Sequence, residues 1–202
     1  MARQKTATRR AAIIKAAAEA FLELGFEKTS MSLIAERLGG SKATLYSYFK
    51  SKEELLFAVL NNEIDTNAAA ILGTALNEPD TRKALTIVGT GYLMQRLSER
   101  PTRYFRMISG QAGSSDIGEH FWNGILKPAW MLMCTKMQEY MDQGRLREAD
   151  PWYAAMHFKG LLEGDLVERR LLGHIRGADA ELINANVTKA VDVFLRYYGP
   201  ET

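Results

Sequence analysis

The sequence contains little cysteine and proline and no long hydrophobic run. Its single cysteine, Cys134, excludes an internal disulfide and a thiolate metal site, which is typical of a reducing compartment. No apolar stretch approaches the roughly 18 residues of a membrane-spanning helix. The basic first residues lack the apolar segment and cleavage site of a secretory signal. We therefore expect a cytoplasmic protein without a membrane partner.

The alternation of apolar and polar residues that marks strands appears nowhere, and proline is absent before Pro79. Apolar residues instead recur at spacings of three and four, as at Ile13, Ala17, Phe21 and Leu24. With 47% hydrophobic residues in 202, the sequence predicts an all-α protein of about nine helices. Their predicted spans are a first helix ending at Gly25, 31–38, 42–49, 52–76, 80–99, 102–109, 118–143 with a break near Pro128, 151–173 and 179–198.

Positive charge is concentrated at one end of the chain. Residues 1–52 contain ten lysines and arginines but four acids, whereas residues 53–202 contain 16 basic and 20 acidic residues. Such asymmetry is expected of a surface that meets phosphates, although many basic termini are merely solvated.

The segment Met31–Lys50 has the spacing of a helix-turn-helix. Two short helices cross closely where the small Ala35 lies, Gly39 suits a tight turn, and Leu45 anchors the second helix against the first. The pattern also occurs by chance, because these residues are common. Ser30 and Ser41 are predicted N-caps, and Ser51 with Glu54 is a predicted capping box in which each side chain bonds the other's amide.

The exposed face of the helix that begins after Ser41 has the side chains for reading DNA. Lysine and threonine can bond base edges, alanine can touch a thymine methyl, and tyrosine or lysine can bond phosphates. The alternative is that the tyrosines are packing residues and the lysines a solvated face. The DNA-contacting residues predicted on this helix and one turn beyond it are Lys42, Ala43, Thr44, Tyr46, Tyr48 and Lys52.

Residues 9–56 resemble the N-terminal domain of the TetR family of bacterial regulators. The motifs that match are Gly25-Phe26, Thr29-Ser30, Ile34-Ala35, Ser41-Lys42, Thr44-Leu45-Tyr46, Tyr48-Phe49 and Ser51-Lys52-Glu53-Glu54-Leu55. The resemblance implies that Ser30, Lys42, Thr44, Tyr46, Tyr48 and Lys52 occupy DNA-contacting positions, with residues 1–52 as the DNA-binding domain and 53–202 as a sensing and dimerisation domain. Gly40 departs from the family, which usually has valine or another apolar residue there.

The later segment, from Gly144 to Pro151 and on to Gly173, resembles an AefR-like C-terminal domain of that family. The resemblance implies that the last two long helices pair with a second subunit as a four-helix bundle. The apolar stripes could instead face only their own subunit's core. The predicted dimer-interface residues are Phe158, Leu162, Leu166, Val191, Phe194 and Tyr198.

Aromatic and methionine side chains between Leu85 and Met141 suit an apolar ligand pocket, although an ordinary core is the alternative. We expect Tyr92, Phe121, Trp122 and Trp130 to line it. The family then implies a homodimeric repressor that a small, largely apolar effector releases from a palindromic operator in double-stranded DNA.

Two other classes of protein compete with this interpretation. The segment from Ser47 to Lys50 fits the S-x-x-K pattern of an enzyme, but the partner motifs are missing. His120, His157 and His174 lack the spacing of metal ligands, so we expect neither a metal nor a cofactor. A helical interaction module that has lost DNA binding is the other alternative, and Gly40 is the feature that suggests it.

Overall fold

A computed structural model of the chain describes residues 2–75, 78–111, 113, 116–177 and 179–200, and this part of the chain is helical without any strand. The predicted all-α class is confirmed. The chain divides into two compact units. The first unit comprises Met1–Ile64 and Arg103–Phe121, and the second unit comprises Asp65–Thr102 and Trp122–Thr202.

The described residues contain eleven α-helices and one π-helical segment, joined by turns and short loops. They are α1 (Ala2–Lys28), α2 (Met31–Arg37), α3 (Lys42–Tyr48), α4 (Lys52–Ala75), α5 (Thr81–Arg96), α6 (Glu99–Gln111), α7 (Ile117–Phe121), the π-helical segment (Trp122–Leu126), α8 (Lys127–Asp142), α9 (Pro151–Glu163), α10 (Leu166–Leu171) and α11 (Ala180–Tyr198).

The first unit is organised around the end of α1. Gly25 breaks α1 with a φ of 79°, a left-handed conformation that glycine adopts without steric cost. The buried Thr29 then closes the turn, because its hydroxyl lies 2.7 Å from the Gly25 carbonyl and 3.2 Å from the Ala20 carbonyl. The helices α1 to α4 each bury large apolar side chains in this unit, and these are Ile13, Phe21, Ile34, Leu45, Leu55 and Leu56, with Phe49 at the end of α3.

The second unit is a helical bundle in which α11 packs on α5 and α9, and α8 packs on α9. Phe158 of α9 and Phe194 of α11 meet with ring centroids 5.1 Å apart. The buried Arg170 of α10 donates to the Leu97 carbonyl at 2.7 Å, which satisfies the end of α5. These contacts make α5, α9 and α11 one continuous core.

Two predicted long helices are each interrupted, which raises the helix count. The predicted 151–173 helix is two, because Gly164 leaves the helical region with a φ of 45°. The predicted 118–143 helix is interrupted by the π-helical segment immediately before Lys127, so that Pro128 lies in the first turn of α8, where its missing N–H is harmless. The predicted 102–109 helix begins earlier, at Glu99, and the predicted 110–118 loop begins only after Gln111, with 112, 114 and 115 outside the described residues.

The predicted division after residue 52 stays a prediction about function. The compact units divide elsewhere, because the first unit extends along α4 to Ile64 and includes Arg103–Phe121. None of the described helices has the length and apolar character needed to cross a membrane.

Candidate functional site

Two serine caps and a glycine turn define the segment from α2 to α3. The Ser30 hydroxyl accepts a hydrogen bond from the Leu33 amide at 3.2 Å, and the Ser41 hydroxyl accepts one from the Thr44 amide at 3.1 Å. Both predicted N-caps are confirmed. The turn between them uses Gly39, whose φ is 61°. This is the helix-turn-helix that the spacing of its residues predicts.

Helix α3 is anchored on one side and open on the other. Leu45 is 2% exposed, and Phe49, which is the C-cap of α3, is 1% exposed, so both side chains are packed into the first unit. Tyr46 is 50% exposed, although it directly follows Leu45. The predicted DNA-contacting residues Lys42, Ala43 and Thr44 are exposed as well, and Tyr48 is half-buried. The structure therefore brings these five predicted residues onto the accessible face and ends of one short helix.

Ser30 and Lys52 lie outside α3 and differ in what they already contact. The Ser30 side chain is exposed, and the Leu33 amide uses only an acceptor position of its hydroxyl, which leaves the proton available. The Lys52 ammonium donates to the Phe26 carbonyl at 2.8 Å and lies 4.1 Å from the centroid of the Phe26 ring. Lys52 thus holds the end of α1, and its contact with DNA stays a prediction.

The predicted capping box at the start of α4 forms one of its two predicted hydrogen bonds, and the second goes to a different amide. The Ser51 hydroxyl accepts from the Glu54 amide at 3.1 Å, as predicted. The Glu54 carboxylate accepts from the Lys50 amide at 2.6 Å rather than from the Ser51 amide. Glu54 of α4 therefore bonds Lys50, the residue that follows the C-cap of α3, and this contact links the end of α3 to the start of α4.

Two arginines of α1 lie beside α3, and the sequence reasoning missed them. The Arg10 guanidinium carbon is 5.1 Å from the centroid of the Phe49 ring, at the end of α3. The Arg9 guanidinium lies against Gly40, just before the start of α3. The signal that could have revealed this contact was the missing side chain at Gly40.

The four predicted effector-binding residues do not form one cluster. Tyr92 and Trp130 meet edge to face, with ring centroids 5.3 Å apart. Trp122 is 40% exposed and contacts Trp152 of α9, with centroids 6.4 Å apart. Phe121 belongs to the first unit, where it is buried and its ring centroid lies 6.4 Å from that of Phe105.

Beside the Tyr92–Trp130 pair is a polar cluster that the sequence did not predict. The Tyr92 hydroxyl donates to the carboxylate of Glu163, which also accepts from Lys159 and lies 3.9 Å from Arg96. Burial, and then the negative charge of Glu163, raise the pKa of Tyr92 well above its ordinary value. Tyr92 therefore remains a neutral hydrogen-bond donor at physiological pH.

The six predicted dimer-interface residues are buried within the single subunit. Phe158, Leu162, Leu166, Val191, Phe194 and Tyr198 are each 4% exposed or less and belong to the core of the second unit. This is the alternative that the apolar stripes left open, and it leaves these side chains little surface for a second subunit. Large side chains that are exposed on α9 and α11 are Tyr153 of α9 and Val193 and Tyr197 of α11.

Among the residues that the structure describes, no group of histidine, cysteine and acidic side chains is arranged to hold a metal ion.

Comparisons with known proteins agree with this architecture. Residues 13–59 match the family described as bacterial regulatory proteins, tetR family, and residues 83–200 match the AefR-like transcriptional repressor C-terminal domain. The activator FasR of Mycolicibacterium smegmatis is 36% identical over 77 residues, which are 38% of this chain and 35% of FasR. The chain thus matches only about a third of the length of this curated relative.

Two solved structures are similar over nearly their whole length. A TetR-family transcriptional regulator from Mesorhizobium loti superposes with a TM-score of 0.84 at 22% identity, covering 96% of this chain and 98% of that one. The flavonoid-responsive regulator FrrA superposes with a TM-score of 0.80 at 26% identity, covering 97% of this chain and 100% of FrrA. Together with the family matches, they show that the chain belongs to the TetR family of DNA-binding transcriptional regulators, with an AefR-like C-terminal domain, and is not an enzyme.

Proposed function

We propose that this regulator is a homodimeric repressor that binds a palindromic operator through α3 and releases it when a small effector binds the second unit. The observation that carries the proposal is that one side of α3 is buried and the other is exposed. Leu45 and Phe49 fix the helix in the first unit, while Lys42, Thr44 and Tyr46 remain accessible.

The residue types on α3 support distinct roles at the duplex. Lys42 and Thr44 precede the rest of the helix and are suited to base edges in the major groove, with Ala43 beside them for a thymine methyl. Tyr46 and Tyr48 have stiff side chains that end in hydroxyl groups suited to phosphate oxygens. Ser30 and Lys52 are the additional phosphate contacts that family resemblance implies.

The dimer face that we propose is the outer side of α9 and α11, above the six buried residues predicted from sequence. Tyr153 is 62% exposed and Tyr197 is 59% exposed, and Val193 of the same α11 face is 48% exposed. Gly160 supports this choice, since a Cβ there would meet nothing within 4 Å in the subunit. A glycine inside a helix costs about 1 kcal/mol relative to alanine, so close approach of a second subunit would explain its presence.

The effector site that we propose is centred on Tyr92 and Trp130, next to Glu163. Two aromatic rings offer a stacking surface, and the carboxylate with its neutral phenol partner offers a polar end. FrrA, which is similar over its whole length, is named for its response to flavonoids. Hydroxylated aromatic compounds are therefore the first effector class to test, with Trp122 as a further contact and Phe121 less favoured because it belongs to the first unit.

Two helices provide a route from effector to DNA, because α4 and α6 each contribute residues to both units. An effector that displaces them would change the separation of the two recognition helices away from the roughly 34–36 Å of one DNA turn. Such an effector must bind the displaced state more tightly than the DNA-binding state, since equal affinity for both shifts nothing.

The experiment is selection of duplexes from a random DNA pool by the purified full-length protein. We expect a palindromic sequence to emerge, and its affinity to fall steeply between 50 and 200 mM salt through counterion release, by about a thousandfold for six or more phosphate contacts. Lys42→Ala should weaken binding in a folded dimer. Failure to enrich any sequence would instead support a helical interaction module that has lost DNA binding.

Repression and release need a second measurement. Transcription in vitro from a promoter that overlaps the selected operator should decrease when the protein is added. A flavonoid such as naringenin should restore it and should quench tryptophan fluorescence in the wild-type protein. Increased transcription on addition of the protein would identify an activator instead, as FasR is named.

A further inference from the structure

The Arg9 guanidinium lies against Gly40, the residue at which this chain departs from its family. A Cβ built on Gly40 would lie 2.6 Å from Nη2 of Arg9, so the guanidinium at the end of this flexible side chain would have to move away from its present position. Gly40 does not have the positive φ that would require glycine, whereas its neighbour Gly39 does. The backbone would therefore accept a side chain at position 40, and what occupies that space is the guanidinium of Arg9.

A second side chain of α1 also lies against the segment that contains α3. The Arg10 guanidinium packs over the ring of Phe49, which is buried at the end of α3. Consecutive residues of α1 thus reach opposite ends of the recognition helix, with Arg10 at its end and Arg9 at its start. Arg10 packs on an aromatic ring that is 1% exposed, whereas Arg9 lies over a backbone turn.

Arg9 lies close to the residues that are proposed to meet DNA. Because consecutive Cα atoms are about 3.8 Å apart, its Nη2 lies at most about 8 Å from the Cα of Ser41. Lys42 follows immediately and is exposed. No carboxylate pairs with Arg9 in the part of the chain that the structure describes. A half-buried cation without an acidic partner, beside a DNA-binding helix, is placed to receive a phosphate.

We propose that Arg9 is a further DNA-contacting residue, which binds a backbone phosphate beside the start of α3. In this arrangement the absence of a side chain at Gly40 leaves the space that the Arg9 guanidinium occupies. This inference rests on the proposed DNA-binding role of α3. A guanidinium presents a planar set of donors that matches two phosphate oxygens, which a solvated lysine does not do. The missing side chain at position 40 is then a specific adaptation of this surface rather than a loosened turn.

A double-mutant cycle on the full-length protein tests the proposal, with the duplex that the wild-type protein selects as probe. Arg9→Ala should weaken binding about tenfold or more at 100 mM salt and reduce the slope of log affinity against log salt by about two per dimer. Lys15→Ala is the matched control, since it removes an exposed cation from another face of α1 and should change neither quantity appreciably. Gly40→Ala should weaken binding when Arg9 is present and have no further effect when residue 9 is alanine.

Each other outcome overturns the proposal in a distinguishable way. An unchanged salt slope in Arg9→Ala would show that Arg9 makes no phosphate contact. Equal effects of Gly40→Ala with and without Arg9 would show that Gly40 acts on the turn alone. Lys42→Ala separates these failures from that of the proposed function, because it should weaken binding in every background. If the wild-type protein selects no duplex, the DNA-binding role itself fails.

Discussion

Substitutions at the neighbouring positions 45 and 46 of α3 should have separate effects, one on the stability of the fold and the other on DNA binding. Leu45→Ala removes a side chain that is 2% exposed, and truncation of a buried leucine reduces the free energy of unfolding by about 2–5 kcal/mol. Tyr46→Ala truncates a side chain that is 50% exposed, so the change should stay within about 0.5 kcal/mol. At a temperature where both variants are folded, Tyr46→Ala should weaken operator binding more than Leu45→Ala does.

The magnitude for Tyr46 follows from the proposed phosphate contact. One hydrogen bond to a charged group contributes about 1.5–3 kcal/mol, and a dimer loses two, so the operator affinity should fall by about a hundredfold or more. Urea unfolding followed by circular dichroism gives the stability, and fluorescence anisotropy with the selected duplex gives the affinity. Tyr46→Phe is the matched control that removes only the hydroxyl. If Tyr46→Ala lowers the free energy of unfolding by about 2 kcal/mol or more while leaving the operator affinity of the folded variant intact, the assignment of the exposed face is refuted.

Three further predictions concern the rest of the molecule. Tyr197→Glu places a charge on the proposed dimer face and should yield folded monomers in sedimentation velocity; an unchanged dimer would move the interface elsewhere. Tyr92 retains its proton in the folded state above pH 10 while the unfolded chain loses it, so the free energy of unfolding should fall as pH rises past 10. Tyr92→Phe should reduce that slope in urea titrations without removing it, because burial also raises the pKa of Tyr140 and Tyr198. Arg103→Met removes the donor to the Leu22 carbonyl, so amide hydrogen exchange at residues 20–28 should accelerate while that of α11 does not; equal protection would contradict a role for this contact.

The recognition helix was predictable because its signals are local. Ser41 caps it, Gly39 permits the turn before it and Leu45 anchors it, and each acts within a few residues along the chain. Family resemblance then suggested which exposed residues of α3 meet DNA, and the structure leaves those side chains accessible or half-buried. That they contact DNA stays a prediction.

The dimer residues were less predictable, because periodicity identifies an apolar stripe without saying what covers it. In α11 the stripe that includes Phe194 is covered by α5 and α9 of the same subunit. The exposed Val193 and Tyr197 lie on the neighbouring face and do not extend that stripe. Sequence alone could not choose between a core and an interface, since both require the same residue types.

The polar contacts between residues far apart along the chain could not be predicted from the sequence, for a different reason. Tyr92 and Glu163 are 71 residues apart, and nothing in the surroundings of either residue specifies the other. Arg9 and Gly40 are likewise distant along the chain and meet through the packing of α1 beside α3. Such pairs are decided by tertiary packing, which local patterns do not contain.

The end of α1 is the point at which the two helices of the proposed signalling route converge. Carbonyl groups in the last turn of a helix lack partners within it and favour cations. Arg103 of α6 donates to the carbonyl of Leu22, and Lys52 of α4 donates to that of Phe26 at 2.8 Å. A displacement of α4 by about 1 Å would stretch the Lys52 bond beyond hydrogen-bonding distance. Because the same α1 presents Arg9 to the start of α3, movement of α4 or α6 would reach the proposed DNA-contacting face through α1 as well as through the chain itself.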